Sequence, residues 1–230
     1  MDMTRRAFLQ YGAGALAVTW PKIPHLYAAQ RSVHAVLLDL PHADFWRESA
    51  AGYAAALADC GCEVARVDVS SLSHCALVIV PAVLQIPQPA RREIARLFES
   101  GAIVVVESGG GFAPEADFQA HRAALREAWG VHVSAPVDLW TAQSCDGIPY
   151  VDYVWPGAAR VRDFSRAVPL MPQEGEFIAW IDDLPVGLKR EVGRGTLIVL
   201  GSALGPALWA GDAQARQWLL RLPTTLPLLQ

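Results

Sequence analysis

Short apolar runs alternate along the chain with amphipathic stretches, and glycines or prolines mark most of the joins. Val33–Leu40 (VHAVLLDL) is apolar and branched, which predicts a first strand. Pro41-His42 follow. Trp46, Ala50, Tyr53 and Leu57 then recur at helical spacing, so a helix is expected from about Asp44 to Asp59 with those four on one face. Gly61 stops it. Glu63–Val69 predicts a second strand and Ala76–Pro81 (ALVIVP) a third. Pro89 stands near the start of a second helix running to Ser100, with Ile94, Leu97 and Phe98 inward and Gly101 closing it. Ala102–Glu107 (AIVVVE) is a fourth strand, followed by Ser108-Gly109-Gly110-Gly111 and a helix from about Pro114 to Trp129.

Val131–Leu170 is less regular and reads as short strands and long loops inserted in the domain. Order returns with Glu176–Asp182 and Val186–Val192, read as antiparallel strands, and the tight turn Gly193-Arg194-Gly195. Thr196–Gly201 (TLIVLG) is a buried strand, and Asp212–Leu222 a last helix with Ala215, Trp218, Leu219 and Leu222 on one face. Strands this continuously apolar are covered on both faces, which favours a parallel sheet between helices. The order of elements predicts an α/β fold: a doubly wound, mostly parallel, flavodoxin-like sheet with a late antiparallel hairpin. Residues 30–230 are expected to form one such domain, with no internal repeat and no separating linker.

The first 29 residues read differently. Arg5-Arg6 precede a weakly apolar stretch, Phe8–Trp20, rich in Ala and Gly. A positive start, a short apolar run and a small-residue exit make a secretory signal. The run is short of the ~20 apolar residues that span a bilayer. Thr4-Arg5-Arg6-Ala7-Phe8-Leu9-Gln10 resembles the twin-arginine consensus. That resemblance implies export of a folded protein to the periplasm, with the mature chain starting near Ala29 or the segment kept as an anchor. No later run is long enough for a second membrane segment.

Composition narrows the partners. The formal charge is −4, the pI about 5.8, and no basic stripe exists, so nucleic acid is not expected. With 53% of the chain apolar, disorder is not expected either. Cys60, Cys62, Cys75 and Cys145 do not stand at zinc spacing, and no metal site is expected. Outside the cytoplasm, Cys60 or Cys62 could pair with Cys75; free thiols are the alternative.

Three segments carry a family likeness. Ala76–Pro81 leads through a Pro-containing loop to the helix ending at Ser100. Gly101–Phe112 (GAIVVVESGGGF) looks like a strand entering a nucleophile turn, and Val192–Ser202 (VGRGTLIVLGS) like a late hairpin and return strand. Together they resemble the class I glutamine amidotransferase-like superfamily, and are similar to its non-catalytic members such as the trimerisation domain of certain bacterial β-galactosidases. Active members need a Cys on a strained strand-to-helix turn, with a His and a Glu near a late strand. Ser108 occupies the nucleophile's place and Gly110 supplies one flanking glycine, but Val106 stands where the other belongs. Ser202-Ala203-Leu204 fill the place of the His, and all six histidines precede residue 133. A serine without a positioned base does not attack, so the resemblance implies a non-catalytic domain.

Other candidates remain open. His42, in the loop after the first strand, could serve Ser108 as an unconventional base. Glu107 ends a buried strand at the edge where such sheets bind ligands; it could take hydrogen bonds from sugar hydroxyls, or be a solvated strand end. Ser108, Gly109, Gly110 and Gly111 could cradle a phosphate, or only let helix and strand pack closely. His42 and Asp44 have metal-binding chemistry but are two residues, not a site. His121 is read as a satisfied, partly buried helix histidine. Trp140, Tyr150, Tyr153 and Trp155 could stack on a sugar or a partner, or fill a core under long loops. The expected function is an exported, non-catalytic domain in binding or assembly, possibly carbohydrate-related, with a protein partner or its own copies and no cofactor. A Ser108 hydrolase and a small-ligand or cofactor-binding protein are the alternatives.

Overall fold

Branched apolar side chains along both sides of a strand require cover on both faces, and the sheet is built accordingly. The computed structural model describes residues 34–72, 75–142, 149–163 and 166–225. The twin-arginine-like leader, its expected end near Ala29, and Cys145 lie outside the described residues. Strand β1 (His34–Leu38) is followed by helix α1 (Trp46–Ala58) and β2 (Glu63–Val67). Next come β3 (Leu77–Val83), α2 (Gln88–Ser100), β4 (Ile103–Ser108) and α3 (Glu115–Trp129). The middle holds β5 (Val137–Asp138), the single turn α4 (Leu139–Ala142), β6 (Tyr150–Tyr153), β7 (Ala159–Arg162) and β8 (Arg166–Ala167). The chain closes with β9 (Glu176–Ile181), β10 (Leu184–Val192), β11 (Gly195–Leu200), α5 (Gly205–Trp209) and α6 (Ala213–Arg221).

Nine of these strands form one sheet in the order β2-β1-β3-β4-β11-β10-β9-β6-β7, and β5 pairs with β8 apart from it. The first five are parallel to one another; from β11 to β7 each neighbour is antiparallel. The structure therefore has the expected mostly parallel α/β sheet, with the β9–β10–β11 meander as the antiparallel extension. The irregular middle supplies β6 and β7, which lengthen the same sheet. No helix among the described residues is long and apolar enough to cross a membrane.

Period-two alternation divides the core into two clusters. Ile103 and Val105 of β4 face one side with Ala50, Tyr53 and Leu57 of α1, Ala207 of α5, and Trp218 of α6. Val104 and Val106 face the other with Ile94, Leu97 and Phe98 of α2 and Phe118 and Leu125 of α3. The helix ends follow local chemistry. Gly101 and Gly130 close α2 and α3 at φ of +90° and +64°, where a side chain would be strained. Asp212 caps α6 by accepting from the Gln214 and Ala215 N–H groups.

Strand β3 departs from expectation. It does not stop at Pro81 but runs through it to Val83. The register passes from Val80↔Val106 to Val83↔Ser108, so one extra residue is accommodated opposite β4. Proline lacks the ladder N–H and fits a sheet interior at such a bulge. Ala82 is carried to a φ of +45°.

Candidate functional site

The carboxyl ends of β1, β3 and β4 are where an open α/β sheet binds ligands: β2 and β3 lie on opposite sides of β1, which makes a topological switch point there. In this chain the backbone closes that crevice. The loop after β1 folds onto the end of β3: Ala43 N–H donates to Ala82 O at 2.9 Å, and Leu84 and Gln85 N–H both donate to Pro41 O at 2.8 and 3.1 Å. His42 and Val83 form an antiparallel bridge across it. Gly109 N–H donates to Val83 O at 2.8 Å. A Cβ on Gly109 would lie 2.3 Å from Ala82 O, so this packing requires glycine.

Glu107 lies beneath this closure and is completely buried. Each carboxylate oxygen takes one hydroxyl and one backbone N–H. Oε1 accepts from Ser49 Oγ in a short bond and from Ala82 N–H at 3.2 Å. Oε2 accepts from Tyr53 OH at 2.9 Å and Gly205 N–H at 2.7 Å. Burial lifts the Glu107 carboxyl above its ordinary value, while the four donors pull the other way. Burial and the adjacent carboxylate push the Tyr53 phenol well above its own. Sequence reasoning placed Glu107 at a strand end open to ligand or solvent. The structure corrects this: α1 and α5 cover that end, and the last residues of β4 are inside the protein. The two helices meet closely because Gly52 and Gly205 lie at their contact, where a Cβ on either would come within 2.5 Å of the other's neighbourhood.

Ser108 follows Glu107 and therefore points to the opposite face. It is 4% exposed and meets His121 of α3, with Oγ and Nε2 2.8 Å apart. His121 Nδ1 is 3.1 Å from Leu84 O, which can only accept, so Nδ1 carries the hydrogen. Burial lowers the ring pKa to about 4, so at neutral pH Nε2 is bare and accepts the Ser108 proton. Gly110 N–H in turn donates to Ser108 Oγ at 3.1 Å. The structure thus brings Ser108 to His121, not to His42. His42 stacks on Trp46 with centroids 4.6 Å apart and sits in the outer loop; Asp44 beside it is exposed. Ser108 is the last residue of a regular strand, and the non-glycine positive φ values among the described residues are at Ala82 and Asp182. The strained turn that would present a nucleophile is therefore not formed at Ser108.

The glycine turn is occupied internally as well. Gly109 and Gly110 N–H groups go to Val83 O and Ser108 Oγ, and Phe112 and Ala113 N–H return to Gly109 and Gly110 O. After β11, Ser202 donates a short hydrogen bond to buried Asp163. The four aromatics of the middle segment separate: Tyr153 is core, 4.7 Å from Trp218, while Trp140 is 53% exposed. Tyr150 lies under Arg160, and Trp155 is half-buried beside Lys189. Cys60, Cys62 and Cys75 are free. Sequence reasoning missed the roles of Ser49, Tyr53, Ala82 and Gly205. The signal for Gly205 was present, since Gly205-Pro206 places proline in a first helical turn, but α5 is too short to show a period.

No protein-family model and no curated protein matches the sequence. Solved structures do match its fold. A β-galactosidase from Rahnella sp. R3 superposes with a TM-score of 0.61 at 15% identity, over 85% of this chain and 32% of that one. The domain shares its fold with a segment of β-galactosidases. An exo-β-1,4-mannosidase from Opitutaceae bacterium strain TAV5 gives 0.59 at 12% identity, over 86% of this chain and 37% of that one. This chain thus spans about a third of the length of these glycosidases. A cytoplasmic protein from Salmonella typhimurium gives 0.57 at 12% identity, over 84% of this chain and 97% of that one, so the fold also makes up nearly a whole chain.

Proposed function

We propose that this chain is an exported, non-catalytic amidotransferase-like domain that acts in binding or assembly, with carbohydrate as its expected chemical setting. One observation carries the reading. The crevice where this fold would hold a ligand is filled by the protein's own groups, with all four Glu107 bonds and the Ala43–Ala82 and Gly109–Val83 pairings made internally. Such an arrangement holds α1, β3, β4 and α5 together; it leaves little for substrate. The likeness to glycosidase segments supports the carbohydrate setting, and the trimerisation-domain resemblance supports assembly. The leader supports export; replacing Arg5 and Arg6 by Lys should retain the protein in the cytoplasm. The decisive experiment is a purified-protein panel of esters, amides and glycosides together with native mass spectrometry. Turnover that vanishes in Ser108→Ala defeats the non-catalytic reading, and a bare monomer at all concentrations defeats self-assembly.

A second reading has one specific observation in its favour. Ser108, His121 and Leu84 O form a hydrogen-bonded line with the polarity of a nucleophile, its base and an orienting acceptor. Its burial, and the Gly110 N–H already on Oγ, weigh against it. Covalent labelling of Ser108 by a fluorophosphonate, lost in His121→Gln, would establish it.

A further inference from the structure

The join between α1 and β2 carries two cysteines separated by one glycine. After Ala58 the chain reverses. Cys60 and Cys62 N–H both donate to Leu57 O, at 3.1 and 3.2 Å, and Gly61 N–H donates to Ala58 O at 2.9 Å. Gly61 permits this at a φ of +74°, the left-handed closure that ends a helix. Two cysteines whose amides share one carbonyl sit on the two limbs of one closed turn. Their Cα atoms, one residue apart, fall within the ~7 Å that a disulfide spans. The surroundings of the two thiols differ. Cys60 is exposed, and Cys62 is half-buried against the core on the α1 side. A Cβ on Gly61 would meet no atom within 4 Å, so the turn is open to an incoming molecule. Burial, and then the charge of Cys60, hold the Cys62 thiol above its ordinary value, which makes Cys60 the first to attack. Cys75 is out of reach. Cys62 leads into β2 and Cys75 into β3, and β1 lies between those strands, which sets them ~10 Å apart at ~4.8 Å per strand. Cys75 also belongs to the core on the other face of the sheet. Among the described cysteines, these placements leave Cys60 and Cys62 as each other's partner. A disulfide ring closed over a single residue is tight, and strained, exposed disulfides are the readily exchanged ones.

We propose that Cys60-Gly61-Cys62 is a redox-active dithiol that exchanges reversibly with a low-molecular-weight disulfide of the glutathione class. The Cys60 thiolate attacks one sulfur of that disulfide. Its S–S bond breaks, a mixed disulfide forms on Cys60 and the first small thiolate leaves. Cys62 then gives up its proton and attacks Cys60 Sγ, which closes the Cys60–Cys62 bond and expels the second thiolate. The two cysteine protons end on the two small thiols. The chain loses two electrons and the small disulfide gains them. The inference goes beyond the binding reading and uses no group of the carboxyl edge, so the two stand or fall separately.

The test equilibrates the full chain with mixtures of reduced and oxidised glutathione, quenches in acid, alkylates the free thiols and digests with trypsin. Cleavage after Arg47 and Arg66 releases one peptide that holds Cys60 and Cys62 and no other cysteine. With oxidised glutathione in excess, that peptide should escape alkylation and be lighter by two hydrogens. With reduced glutathione in excess, it should return to two alkylated thiols, the circular dichroism being the same in both states. Cys62→Ser leaves no thiol to resolve the mixed disulfide, so glutathione bound to Cys60 should rise several-fold over the parent. A pair of cysteines with only a packing role would not show that rise. The parent's peptide map decides the question by itself if Cys62→Ser fails to fold. The proposal is overturned if the peptide stays reduced in excess oxidised glutathione, or carries glutathione adducts only. It is equally overturned if Cys60 or Cys62 is found linked to Cys75 or Cys145, or if reduced glutathione does not reopen the bond.

Discussion

Glu107→Gln is the sharpest test of whether the carboxyl edge is a structural hub. The substitution keeps shape and nearly all volume but turns one accepting oxygen into a donating NH2. Each oxygen of Glu107 receives one hydroxyl and one backbone N–H: Ser49 and Ala82 on Oε1, Tyr53 and Gly205 on Oε2. A hydroxyl can rotate to accept from the new NH2. A backbone N–H cannot. Whichever way the amide turns, either Ala82 or Gly205 loses its acceptor inside the core. A stranded buried donor costs about 1–3 kcal/mol, so about 2 kcal/mol is expected here. For a chain of this size that corresponds to a fall in Tm of roughly 4–8 °C. Urea and thermal unfolding followed by circular dichroism would measure it. The hub reasoning is refuted if Glu107→Gln lies within ~0.5 kcal/mol of the parent, the range of inert surface changes. A gain in stability would be more telling still, because residues kept for function are often held at a cost to the fold.

Other outcomes follow from the same geometry. Burial lowers the His121 pKa from 6.5 to about 4, so between those values the unfolded chain binds a proton that the native chain does not. Its contribution, on the order of 3 kcal/mol, is complete above pH 6.5 and is lost as the pH falls toward 4. The urea midpoint of His121→Gln should lack that acid slope. Glu107 acts in the opposite sense: its carboxyl is raised above 4.5, so its contribution falls as pH rises through the folded value, and it is common to both proteins in the comparison. Gly205→Ala would put a Cβ 1.7 Å from Ser49 Oγ and 2.5 Å from its Cα, forcing α5 off α1; a loss of about 1–3 kcal/mol is expected by equilibrium unfolding. Asp212→Ala removes the α6 cap and should lower stability by about 1 kcal/mol in the same assay. Of the three cysteines among the described residues, iodoacetamide should label exposed Cys60 before Cys75 in the native protein, because burial lifts the Cys75 thiol to about 11; mass spectrometry of the digest reads the order.

What the sequence determined by itself was local. Helical spacing of Ala50, Tyr53 and Leu57, the branched runs of β1, β3, β4 and β11, and the closing Gly101 are short-range signals, and each element formed close to its expected bounds except β3, which runs on through Pro81 to Val83. Continuous apolarity also determined that the sheet is mostly parallel and covered on both faces. The site was decided elsewhere. That Glu107 is a buried hub depends on Ser49 and Tyr53, more than fifty residues before it, and on Gly205, nearly a hundred after it. That Ser108 meets His121 rather than His42 depends on which helix covers which face of β4, and strand alternation sends Glu107 and Ser108 apart although they are neighbours in sequence. A hydrogen bond between distant residues leaves no periodic trace in the chain. Only the packed sheet, with its bulge at Pro81-Ala82 and its glycine contact between α1 and α5, brings those groups within bonding distance and closes the crevice at the carboxyl ends of β1, β3 and β4.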